Sequence, residues 1–98
     1  MKAQEYLMIC VAEECAEIQQ RITKALRFGL YEIQPGQPDN NLVRIREEFN
    51  DLLGVLELVA SHGTALMVID RKQVDAKIDK VIKFMEYSED LGLLEATD

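Results

Sequence analysis

The sequence predicts an all-α fold of about three main helices, and three observations carry that prediction. Apolar residues recur at alternating spacings of three and four in three separate stretches. Pro35, Pro38, Gly29, Gly36, Gly63 and Gly92 fall between or after those stretches. No segment alternates polar and apolar residues with the period of two that a half-buried strand requires. The 98 residues make one domain, 1–98, close to the lower end of the size at which a single core is comfortably large.

The first helix is predicted over residues 3 to 27, a stretch without Gly or Pro. Leu7, Val11, Ile18, Ala25 and Phe28 mark its apolar face, and positions 14 and 21 of the same stripe are Glu and Arg. Gly29 stops the helix, and "LYEIQPGQPDNN" is a concentrated set of turn formers, a loop long enough to be functional. Tyr31, Ile33 and Gln34 are its candidates for contact with a ligand.

The second helix is predicted from Leu42 to His62, with Leu42, Ile45, Phe49, Leu52, Leu56 and Val59 as its stripe. Leu53, Val55, Leu58 and Ala60 widen that surface, so its second half reads as buried nearly all round. Gly63 closes it, and His62 just before places a cation near the negative end of the helix dipole. After the connector "TALMVI", Asp70 with Gln73 reads as a capping box opening a third helix through Glu89. Val74, Ile78, Val81 and Met85 form its inward stripe, Gly92 follows its end, and "LLEATD" reads as a frayed tail whose Leu93 and Leu94 are free to dock. Three helices with this much apolar surface cannot cover one another, so a bundle completed by dimerisation is expected.

Composition narrows the function. A chain that is 48% hydrophobic and 30% charged, without low-complexity tracts, folds. Its net charge of -7 argues against an electrostatic grip on nucleic acid or an anionic membrane. Glu5, Glu13 and Glu14 interrupt the opening stretch, which reads as neither a signal peptide nor a membrane span, so a cytoplasmic protein is expected. Cys10 and Cys15 diverge by about 140° around a helix, so they do not pair locally and read as reduced core residues.

Two acidic pairs remain, Glu14-x-x-Glu17 and Glu48-x-x-Asp51, each on one helical face and each adjoining apolar surface. Two antiparallel helices can bring the four carboxylates together, where like charges repel unless a cation neutralises them. The pattern alone leaves three explanations open: a metal site, a solvated face, and a buried salt bridge with Arg21 or Arg46. If a metal is held, an all-oxygen donor set without Glu-x-x-His favours Mg²⁺, with Mn²⁺ as a substitute. Mg²⁺ commonly shares its shell with phosphates, which is how an acidic protein can hold a polyanion.

The paired motif resembles the all-α nucleoside triphosphate pyrophosphohydrolases, the superfamily of MazG, dimeric dUTPases, dCTP pyrophosphatase and phosphoribosyl-ATP pyrophosphohydrolase. "EECAEI" and "EEFNDLLGVLELVA" look like its Glu-x-x-Glu and Glu-x-x-Asp helices, and "KIDKVIKFMEYSEDLG" looks like its Lys-rich third helix. The resemblance covers residues 12 to 90. It implies a MazG-like bundle, a homodimer or dimer of dimers, and Mg²⁺-dependent cleavage between the α and β phosphates of a nucleoside triphosphate. Glu14, Glu17, Glu48 and Asp51 would be the metal ligands and catalytic carboxylates, with Glu14 or Glu17 a candidate for handling the attacking water. Lys24 and Arg27 on the first helix, and Lys80 and Lys83 on the third, would meet the phosphates. The chain departs from many members in its longer inter-motif loop and in having Leu58 where some carry Asn. A non-catalytic nucleotide-binding or helical interaction protein on the same scaffold is the alternative.

Overall fold

The computed structural model describes residues 1–96 and is all-helical: α1 (Ala3–Phe28), α2 (Asn41–Ser61) and α3 (Arg71–Asp90), with no strand among the described residues. The helix boundaries follow the predicted periodicity to within a residue or two. None of the three helices is long and apolar enough to cross a membrane. The chain divides into two compact units, one ending at Met67 and the next beginning at Val68.

In the first unit α1 and α2 pack as an antiparallel hairpin. Gln4 near the start of α1 donates a side-chain hydrogen bond to Thr64 just past the end of α2. At the other end the Asn41 side chain donates to the Gly29 carbonyl at 2.8 Å. Along α1 the residues turned toward α2 are Leu7, Val11, Glu14, Ile18, Arg21 and Ala25, all buried or half-buried. This is the predicted stripe, with its Glu and Arg retained in the seam. Phe28, expected at its end, is 55% exposed, because Gly29 turns the chain away there.

On α2 the seam keeps Ile45, Leu52 and Val59 of the expected stripe and is rotated toward Asn41, Glu48 and Val55. Phe49 was expected in the stripe and is instead 52% exposed, while Glu48 is half-buried. Both registers alternate threes and fours, share Ile45, Leu52 and Val59, and have mid-lines about 50° apart. A helix that is apolar on several sides can present either one. Here α1 covers one of them and leaves Phe49, Leu53 and Leu58 exposed.

The connection between α1 and α2 is held by hydrogen bonds along its length. Gly29 has φ 105°, a backbone conformation that L side chains rarely adopt, and its N–H closes α1 by donating to the Ala25 carbonyl at 2.9 Å. Gln34-Pro35-Gly36-Gln37 forms a turn with Gly36 at φ 85° and the Gln37 N–H donating to the Gln34 carbonyl, the requirements of a type II turn. Asn41, 4% exposed, also donates to Glu32 Oε1, and Arg44 Nη1 donates to Gln34 Oε1 at 2.9 Å. The loop is therefore fastened to the first turns of α2.

In the second unit Asp70 caps α3 through its side chain, which accepts from the N–H groups of Lys72 and Gln73. The stripe Val74, Ile78, Val81 and Met85 has the predicted spacing, yet each member is more than a third exposed and α3 contains no buried residue. Leu93 and Leu94 are not frayed: their N–H groups donate to the Ser88 carbonyl, and they line an apolar hollow with Val81, Phe84 and Met85. Thr97 and Asp98, the end of the expected tail, lie outside the described residues.

Candidate metal centre

Helical geometry decides which carboxylates meet. Glu14 lies in the seam of α1 and Glu48 in the seam of α2, so packing the hairpin brings them face to face. Asp51 follows Glu48 by three residues, about 60° around the helix, and reaches the same point from the exposed side. One carboxylate oxygen from each of Glu14, Glu48 and Asp51 lies within 4.8 Å of the others. Glu17 is exposed on α1 and is not among these three.

The Glu48 carboxyl is held above the ordinary glutamate range. Its partial burial is the largest cause, followed by the negative charges of Asp51 and Glu14, a hydrogen bond with Glu14, and the charge of Glu17. Glu17 thus acts on the cluster electrostatically. The salt-bridge explanation finds no support in the geometry, since the ion pair formed among the described residues is Arg71 with Asp75 on α3, at 2.9 Å. Arg46 is exposed, and Arg21 has its Nη1 buried with no hydrogen-bond partner.

The donor set fits a hard divalent cation. Oxygens around one Mg²⁺ stand at most about 4.2 Å apart, twice a bond of about 2.1 Å, so the three side chains need at most a small rotamer adjustment to share one ion. Asp51 in the cluster and Glu17 beside it are exposed to solvent.

The candidate phosphate contacts fall in both units. Lys24 and Arg27 lie along α1 in a shallow polar depression with Gln20 and Thr23, and the Arg27 guanidinium sits 5.7 Å from the Phe28 ring centroid. Lys80 and Lys83 are exposed on α3, with the Lys80 ammonium 6.0 Å from the Phe84 ring centroid. Tyr31, Ile33 and Gln34 are exposed in the α1–α2 loop, and Gln34 is engaged by Arg44.

Neither cysteine is a core residue of this chain. Cys10 is half-buried and Cys15, which neighbours a seam position without occupying one, is exposed. His62 caps α2 and places Nδ1 3.0 Å from the Leu58 carbonyl, a hydrogen bond that puts the proton on Nδ1.

Two residues carry more of this arrangement than the sequence pattern assigns them. Asn41 reads as one turn former among several, and its burial follows only from the closing of the loop. Arg21 stands out by its place in an apolar stripe, the same signal that singles out Glu14. Compared with protein-family models, curated proteins and solved structures, the chain matches none.

Proposed function

We propose that the chain is a Mg²⁺-dependent nucleoside triphosphate pyrophosphohydrolase of the MazG-like all-α kind, cleaving between the α and β phosphates to release a nucleoside monophosphate and pyrophosphate. The observation that carries this reading is the convergence of Glu14, Glu48 and Asp51 from two helices onto one point, with none of them in an ion pair among the described residues. Carboxylates gathered at a half-buried seam without a counter-charge are costly unless a cation is bound, and that cost argues for a functional rather than a structural role.

In this reading Glu14, Glu48 and Asp51 hold the metal, which when bound makes a water nucleophilic near neutral pH and offsets charge on the phosphate oxygens. Glu17, one turn beyond Glu14 and outside the three-oxygen group, would orient the attacking water or accept its proton. Exposed apolar side chains on α2 and α3 support a second copy completing the bundle.

The test is pyrophosphate release from a panel of ribo- and deoxyribonucleoside triphosphates, in Mg²⁺ and in EDTA, with Glu48→Gln alongside. Metal-dependent release that disappears in the variant is expected. Tight Mn²⁺ binding with no turnover on any nucleotide would instead favour a non-catalytic nucleotide-binding protein on the same scaffold.

A further inference from the structure

A metal held by three carboxylates is still surrounded by negative charge, so a polyphosphate needs at least one more positive group on the same face. The first turn of α2 does not supply it, because its N–H groups from Asn41 to Arg44 are taken. Those of Asn41 and Leu42 donate to the Glu32 and Leu30 carbonyls, that of Val43 to the Asn40 side chain, and that of Arg44 to the Asn40 carbonyl. Arg44 is engaged by Gln34. The cation must be another side chain.

Position around α1 selects it. Seven residues after Glu14, Arg21 returns to within about 20° of the same direction, whereas Lys24 is about 80° away and Arg27 about 140° away. The axial step is about 10.5 Å, which the long arginine side chain and a chain of phosphates can cover between them. Arg21 also lies along the seam between the carboxylates and the Gly29–Asn41 closure. Its Nη1 is buried and has no partner, an arrangement that costs free energy in the absence of an acceptor.

We propose that Arg21 is the phosphate-binding cation of the Glu14–Glu48–Asp51 site, its guanidinium fork donating to oxygens of the pyrophosphate portion of the ligand along the α1–α2 seam. This rests on the metal-site reading above. A guanidinium suits the role because it stays charged when partly buried and presents paired N–H donors to phosphate oxygens.

The experiment measures two affinities in the full chain: Mn²⁺, by electron paramagnetic resonance, and inorganic pyrophosphate in the presence of Mg²⁺, by isothermal titration calorimetry. Arg21→Leu and Arg21→Gln are compared with the parent and with Arg71→Gln, which removes an equal charge from α3. Both Arg21 variants are expected to keep the parental Mn²⁺ affinity and to bind pyrophosphate about 10- to 100-fold more weakly, the scale of hydrogen bonds to a charged group. Arg71→Gln is expected to behave as the parent. Parental pyrophosphate affinity in a folded Arg21 variant overturns the assignment while leaving the metal site standing, and so does loss of Mn²⁺ binding together with pyrophosphate binding. If the apolar Arg21→Leu fails to fold, Arg21→Gln decides alone. A parent that binds no Mn²⁺ overturns the metal-site reading and this assignment with it.

Discussion

Glu48 is where charge and packing meet most directly. Its carboxyl is raised above the ordinary glutamate range by partial burial and then by Asp51, Glu14 and Glu17, so the folded chain binds its proton more tightly than the unfolded chain does. By linkage, Glu48 contributes stability that is present below its unfolded value of about 4.3 and is lost as pH rises through its raised folded value. Metal-free protein in EDTA is therefore expected to lose thermal stability as pH climbs from that value toward neutrality, with Mg²⁺ reversing the loss. A melting temperature in EDTA that rises across the interval would contradict this. Glu48→Gln should flatten the dependence, match or exceed the parent's stability at neutral pH, and abolish turnover; an unfolded variant would point to a structural salt bridge instead.

At the scale of elements, the α1–α2 hairpin is closed at its loop end by Gly29 and Asn41. A Cβ at Gly29 meets only Glu32 Cβ, at 3.9 Å, so Gly29→Ala would fit sterically but force a non-glycine residue to φ 105°. That change is expected to cost about 1–3 kcal/mol, read by urea denaturation. Asn41→Ala removes the donor to Glu32 Oε1 and the shorter of the two hydrogen bonds to the Gly29 carbonyl, which keeps the Glu32 N–H at 3.3 Å, and about 1–3 kcal/mol is expected there as well. Since the loop is stapled to α2, faster amide exchange in residues 29–40 should accompany it while the middle of α1 stays protected. Exchange that rises uniformly along the hairpin would mean that Asn41 supports global stability rather than the loop.

For the whole molecule, the core visible in one chain is small. Among the described residues Ile18, Ala25 and Val59 are its buried apolar side chains, while Phe49, Leu53, Leu58 and the Val74–Ile78–Val81–Met85 stripe remain exposed. So few buried side chains fall short of what the ordering of a domain of this size costs, which is why a second copy is proposed to cover the remainder. Sedimentation velocity should find a dimer or a dimer of dimers, and Ile78→Asp should shift it toward monomer and lower its melting temperature. A parent that sediments as a stable monomer at all concentrations would remove the basis for bundle completion.

Helix number, helix boundaries and the caps at Asp70 and Gly29 were legible in the sequence, because periodicity and capping are local properties of a helix. The placement of Glu14 and Arg21 within an apolar stripe was legible for the same reason. Which face of α2 meets α1 was not: stripes through Phe49 and through Glu48 are equally regular, and only the packed hairpin put Glu48 in the seam and Phe49 outside. The tertiary structure likewise separated Glu17 from the three converging carboxylates, buried Asn41 and left Arg21 Nη1 without a partner. The sequence by itself determined the elements and the residues with chemistry to offer; which of those residues share a point in space was decided by the register of one helix against another, a long-range property that no local spacing encodes.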